Sequence, residues 1–153
     1  MADTRTRNQL PRQARVVGVR ELSPNMRRVS LVGDDLEDFP EGQESGYVKL
    51  LLKHQGEEVR RSYTIRRFES QSKTLHLDFM RHADGGPASA WAESVEIGQE
   101  ISLVGPGAKK LLDFDADWFL LAGDMTALPA ISVNIEQLPK DAKGYVAIEL
   151  LSE

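Results

Sequence analysis

Apolar and polar residues alternate along ARVVGVRELS and again along MRRVSLVG, with Ser23-Pro24-Asn25 between them. A period of two sends every second side chain to the same face, so the two stretches predict an antiparallel pair with one side buried. GYVKLLLKH, EEVRRSYTIRRFE, TLHLDFMRH and QEISLVGP supply further candidates, about six strands in all before Leu112. Short strands in that number, with no long helical period, predict a barrel or a sandwich. One helix interrupts them, GPASAWAESV, where Pro87 suits a first helical turn and Ser89 lies close to its start.

The period changes at Asp113. DWFLLAG is a short, continuously apolar strand, TALPAISVNIEQLP reads as a helix, and GYVAIELLSE returns to a strand rich in branched and aliphatic residues. That order is one βαβ unit, whose parallel strands are normally covered on both faces.

Composition narrows the class. A chain of 153 residues with 41% hydrophobic and 28% charged residues can bury one good core. It has no cysteine, which removes disulfides, thiolate nucleophiles and cysteine metal sites and is compatible with a reducing, cytoplasmic setting. The opening residues MADTRTRNQLPRQARV lack the apolar stretch of a secretory signal, and the longest apolar runs are strand-sized, so no insertion in a membrane is expected. A net charge of -5 argues against a nucleic-acid partner, which demands clustered lysine and arginine. Charge is nevertheless uneven: seven arginines fall in the first 30 residues, and GDDLEDFPEGQE holds six acids and no base. Both runs read as solvated surface.

Three short motifs carry candidate chemistry. Arg61-Ser62-Tyr63-Thr64-Ile65-Arg66 lies on a predicted strand, where alternation pairs Arg61 with Tyr63 on one face and Ser62 with Thr64 on the other unless the strand bends. A guanidinium fork suits a pyrophosphate, and a tyrosine ring can lie flat on a larger aromatic system. His82-Ala83-Asp84-Gly85-Gly86-Pro87-Ala88-Ser89-Ala90-Trp91 joins a glycine pair to a helix start, where free amides and the helix dipole favour an anion. The ordinary alternative is a turn with Trp91 as a core anchor. Gly123-Asp124-Met125-Thr126-Ala127-Leu128-Pro129-Ala130 joins an apolar strand to a helix, the place where open α/β sheets bind nucleotides, although Asp124 or Thr126 also suits a simple helix cap. With only His54, His76 and His82, and no ligand spacing among them, no protein metal site is expected.

In this order the three motifs resemble the siderophore-interacting protein family of the ferredoxin-reductase superfamily. Members carry an Arg-x-Tyr-Thr-x-Arg strand, an aspartate-led strand running into His-x-x-x-Gly-Pro-x-Ser-x-Trp, and a strand followed by Gly-Asp-x-Thr-Ala-Leu-Pro-Ala; this chain has RSYTIR, DFMRHADGGPASAW and GDMTALPA. The resemblance runs from roughly Arg15 to the last residue. It implies a mainly β fold: a six-stranded antiparallel Greek-key FAD-binding barrel over residues 1–112, then the first βαβ unit of an NAD(P)H-binding α/β domain over 113–153. By position, Arg61 would meet the flavin phosphates, Tyr63 would pack on the isoalloxazine and Thr64 would sit at its reactive nitrogen edge. Phe79, Met80 and His82 would line the ribityl and phosphate path, while Gly86, Ala88 and Ser89 would serve the pyrophosphate with Trp91 packing nearby. Thr126 would approach the flavin from the second domain, and Gly123 and Asp124 would lie where the nicotinamide nucleotide enters.

The activity so implied is an FAD-dependent ferric-siderophore reductase, which moves electrons from NAD(P)H, or from a ferredoxin, to siderophore-bound Fe(III) and releases Fe(II). The cofactor carries that chemistry, so no acid, base or nucleophile of the protein is expected to be indispensable. Basic residues near the flavin receive the siderophore in such proteins, and Arg66 and Arg67 are near in sequence. Members continue beyond the point where this sequence stops, so the second domain is expected to be truncated, with YVAIELL exposing apolar faces and an unpaired edge. The alternatives are a general flavin or ferredoxin-type reductase and a flavin-binding fragment without turnover.

Overall fold

The alternating stretches pair as their pattern predicts. In a computed structural model of the chain, which describes residues 4–81 and 83–151, a short helix α1 (Thr4–Arg7) precedes the strands β1 (Arg12–Ser23) and β2 (Met26–Val32). These pair antiparallel around Pro24-Asn25, with Ser23 opposite Met26. β3 (Tyr47–His54), β4 (Glu57–Thr64), β5 (Arg67–Glu69), β6 (Thr74–Met80) and β7 (Glu100–Val104) complete a seven-stranded sheet in the order β4-β3-β7-β1-β2-β6-β5. Every pairing in it is antiparallel.

Six of these strands are long and β5 has three residues. The sequence suggests one strand over EEVRRSYTIRRFE, but the chain turns a corner within it. Ile65 has no exposed surface, and its amide and carbonyl bond Gly46 and Ser45 at 2.8 and 3.1 Å. The next amide, Arg66 N–H, reaches the His76 carbonyl on β6 at 3.1 Å. The strand thus changes partner from β3 to β6, and that corner rolls the sheet into a barrel: the Tyr63 ring of β4 stands 4.3 Å from the Phe79 ring of β6.

The inward residues of the alternating pattern form the core. Val16, Val29, Leu31, Val48, Leu50, Leu75, Leu77, Phe79 and Leu103 have no exposed surface. Helix α2 (Pro87–Ser94) closes one end, with Ala88 and Ala92 in that core. Core formation at about 25 cal/mol per Å² of apolar surface is the main force stabilising this barrel.

The βαβ unit follows: β8 (Phe119–Asp124), α3 (Leu128–Gln137) and β9 (Gly144–Glu149). β8 and β9 pair parallel, Phe119 opposite Gly144. Parallel neighbours need a long crossover, which α3 supplies. Phe119, Leu121 and Ile131 form a second, separate core, packed with Leu112, Ala127, Leu138, Ala142 and Ile148. Only one face of this two-stranded sheet is covered: Leu120 is 60% exposed and Tyr145 71%. The connection between the units is pinned by Asn134 of α3, which accepts from the Leu112 amide at 2.8 Å and donates to the Lys110 carbonyl at 3.0 Å.

Candidate functional site

β4 lies at the edge of the sheet, and its pairing puts Tyr63 opposite Val48 and Arg61 opposite Leu50, on the core side. Val48 and Leu50 are fully buried, yet Tyr63 is only half-buried and Arg61 exposed, because the barrel is open beside β4. The strand then ends at Thr64, so the strict alternation lapses. Arg61, Ser62, Tyr63 and Thr64 all line one cavity of about 260 Å³, whose other walls are Asp78 and Met80 of β6 and Met125, Thr126 and Pro129 of the βαβ unit.

The Tyr63 ring rests on Phe79, and Phe79 in turn lies 5.5 Å from Trp91 of α2. Burial pushes the Tyr63 phenol above its usual value, with the Arg61 charge opposing, so the ring stays neutral at physiological pH. Arg61 donates to the Arg60 carbonyl at 2.9 Å and forms no ion pair among the described residues. A guanidinium without a carboxylate, next to a tyrosine backed by a second ring, can receive an aromatic ligand carrying phosphate.

The amino end of α2 lies along the same β6 connection. Gly86 precedes the helix, no side chain caps it, Pro87 has no N–H, and its first turn holds no acid. The first-turn amides of a helix have no partner within it, so this end offers Ala88 and Ser89 N–H groups to an anion. Both residues are buried. Ser89 also lines a cavity of about 390 Å³ with Asn25, Arg81, Gly85 and Glu93. Arg81 is held by Glu21 at 2.8 Å and by Glu93, which keeps the guanidinium charged and the Glu93 carboxyl below its usual range.

The structure therefore gathers Arg61, Tyr63, Thr64, Met80 and Thr126 around one cavity, while Gly86, Ala88 and Ser89 stand outside its lining at the start of α2, with Ser89 on a separate cavity. The Phe79 side chain does not line this cavity; it lies wholly in the core beneath Tyr63. Trp91 is half-buried behind it. His82 lies outside the described residues. Gly123 and Asp124 stay out of the cavity lining and shape the turn after β8. A side chain at Gly123 would collide with Ala127, its Cβ 2.7 Å from that of Ala127. Asp124 accepts from the Thr126 and Ala127 amides at 2.8 and 3.3 Å and from the Thr126 hydroxyl, which holds its carboxyl below the usual range.

Sequence reasoning missed Asp78, Met125 and Pro129 as lining residues. Asp78 is 8% exposed and takes a two-pronged pair from Arg28 at 2.7 and 2.9 Å across strands β2 and β6. Its place in the aspartate-led strand motif was the available signal.

This arrangement has known counterparts. The profile of the siderophore-interacting FAD-binding domain matches residues 15–60 and 57–110, and that of siderophore-interacting protein matches residues 116–153. The chain belongs to the siderophore-interacting protein family. Among relatives of this family, ferric vibriobactin reductase ViuB of Vibrio cholerae is 36% identical over 159 residues, covering 92% of this chain and 59% of the relative. The siderophore-interacting protein SipS from Aeromonas hydrophila superposes with a TM-score of 0.84 at 32% identity, over 95% of this chain and 61% of that one. A ferredoxin NADP+ reductase from Neisseria gonorrhoeae, at 15% identity and a TM-score of 0.64 over 89% of this chain and 56% of its own, shares the fold. The chain thus spans about three-fifths of the length of these siderophore-interacting relatives.

Proposed function

We propose that this chain is the flavin-binding part of an FAD-dependent ferric-siderophore reductase, which draws electrons from NAD(P)H and releases Fe(II) from siderophore-bound Fe(III). The observation that carries the reading is the single cavity shared by Arg61, Tyr63, Thr64, Met80 and Thr126, with an uncapped helix start following β6 in the chain. These residues fit FAD. Among the described residues Arg61 has no carboxylate to displace, Tyr63 offers a half-buried ring face, and α2 offers amides to a pyrophosphate.

In this reading Arg61 and the α2 amides of Ala88 and Ser89 hold the phosphates, and Gly86 keeps the approach clear. Tyr63 packs against the isoalloxazine with Phe79 and Trp91 fixing its ring from behind. Thr64 offers a hydroxyl at the ring edge, and Met80 borders the ribityl path. Thr126, from the unit we assign to the nicotinamide nucleotide (residues 113–153, after a flavin domain over 1–112), limits access to that edge. Gly123 and Asp124 fix the turn that carries it. The FAD these residues would hold would supply hydride acceptance from a reduced nicotinamide and one-electron transfer to ferric iron. The protein's own part is to orient, to exclude water and to supply charge.

The relative ViuB is named for ferric vibriobactin reduction and a second relative, 32% identical over 96 residues and covering 62% of this chain, for ferric acinetobactin reduction. Both names support a ferric siderophore as substrate. No helix among the described residues is long and apolar enough to cross a membrane. The use of NAD(P)H in this reading supports a cytoplasmic location.

The decisive assay photoreduces the FAD-loaded chain without oxygen, adds a ferric siderophore and traps ferrous iron with a chelator. We expect flavin reoxidation matched by trapped Fe(II). Flavin that stays reduced in the presence of the ferric complex contradicts the proposal.

A further inference from the structure

Arg66 ends the RSYTIR motif, and its position explains more than its sequence does. It stands at the corner between β4 and β5, 18% exposed at its side chain. Its Nε lies 4.0 Å from Asp78 Oδ2, and its two terminal nitrogens fork onto the Glu136 carboxylate of α3, Nη1 at 3.0 Å from Oε2. Asp78 is already gripped by Arg28. Charges therefore alternate in one line, Arg28, Asp78, Arg66, Glu136, from the barrel wall to the helix of the second unit.

The two units have separate cores. Met125, Pro129 and Val133 are buried outside both cores, so the spacing of the units depends on how these few side chains pack, on a few polar contacts and on the connection between them. Among the described residues, Arg66–Glu136 is the ion pair that joins a barrel residue to α3. Asn134 reaches only the connection. The pair lies beside the site: Asp78, Met125 and Pro129 line the 260 Å³ cavity under Tyr63 and also a second cavity of about 450 Å³ walled by Arg28 and Arg66. Pro129 and Glu136 sit at opposite ends of α3, so the turn at one end and the ion pair at the other hold the helix at two points.

We infer that Arg66 is a positioning residue: its fork to Glu136 sets how closely Met125, Thr126 and Pro129 close over Tyr63 and Thr64. Its guanidinium is engaged by two carboxylates and is not an open anion receptor. Glu136 is 56% exposed, so the pair is screened by salt, whereas the Arg28–Asp78 pair, with Asp78 buried, is screened much less. Closure therefore loosens as ionic strength rises.

The consequence for the ligand rests on the flavin reading; the latch itself does not. Hydrogen exchange across residues 125–137 is compared in the full chain, with and without FAD, for wild type, Glu136→Gln, Arg66→Gln and the double variant. Glu136→Gln alters an exposed helix position and leaves the barrel intact, so it tests the pair even where Arg66→Gln disturbs folding. We expect each single change to speed exchange there by roughly two- to fivefold, the range for a partly exposed ion pair. Exchange in β3 and β6 stays as it was. The double variant matches either single one, and high salt brings wild type to the same level. In the FAD-loaded proteins the flavin fluorescence yield shifts in the same order, which a brace remote from the site would not cause. Unchanged exchange in Glu136→Gln, additive single effects, or flavin fluorescence identical in all four proteins overturns the inference. The exchange measured without FAD decides the latch even in a chain that binds no flavin, an outcome that refutes the functional reading instead.

Discussion

Gly123 shows how little slack the second unit has. With Ala127 Cβ 2.7 Å from where its own Cβ would be, and Ile131 close behind at 3.3 Å, Gly123→Ala forces β8 away from α3. Overpacking of this kind costs about 1–3 kcal/mol, and thermal melting should show the loss. An unchanged melting temperature would mean that the two elements do not pack as closely as described. His76 makes a different residue-scale prediction. It lies between Ser30 at 2.8 Å and Glu69 at 3.2 Å, and burial pushes its pKa below the ordinary 6.5 despite the opposing pull of Glu69. A histidine held neutral contributes stability that is complete above its unfolded pKa and is lost as pH falls towards the folded one. Stability should therefore decline as pH drops below about 6.5, and His76→Gln should flatten that decline in pH-dependent melting. At this scale the sequence made Arg61, Tyr63 and Thr64 legible because they sit on one strand. It could not show Arg28 with Asp78 or Arg66 with Glu136, whose partners lie 50 and 70 residues apart.

The helix α2 separates two roles that a helix start can play. Gly86 has an ordinary φ of -70 and nothing within 4 Å of an added Cβ, so aspartate fits there. Gly86→Asp supplies the missing cap and complements the dipole, which together raise stability by about 0.5–1.5 kcal/mol. The same carboxylate repels a phosphate at those amides. We expect a higher melting temperature together with FAD affinity at least about tenfold weaker, a loss of 1.4 kcal/mol or more. Tighter or equal FAD binding would remove the phosphate from this helix end. Elements as such were largely readable: alternation located the β1–β2 hairpin, and the change of period at Asp113 located the βαβ unit. The β4–β5 corner falls where Arg66 and Arg67 break the alternation between Ile65 and Phe68, and a single doubled polar position does not tell a corner from a bulge; there the backbone changes partner from Gly46 to His76.

For the whole molecule, the second unit leaves one face of its sheet bare. Trp118 and Tyr145 pack edge to face at 5.8 Å with about half or more of their surface exposed, next to Leu120 opposite Tyr145. Contiguous apolar side chains on a parallel sheet are normally covered, and bare ones promote association. Light scattering should therefore give a mass above 17.1 kDa that rises with concentration, and Tyr145→Lys should lower it. A single mass at all concentrations would contradict this. The central claim, however, is the flavin site between the two units. It is tested most directly by titrating the purified chain with FAD while recording its visible spectrum and flavin fluorescence, alongside Arg61→Gln. A saturable, perturbed flavin spectrum with quenching by Tyr63 is expected, and about tenfold weaker binding in the variant, the effect of one charge-assisted hydrogen bond. A folded chain that leaves the FAD spectrum unchanged, or binds it equally well without Arg61, would contradict it.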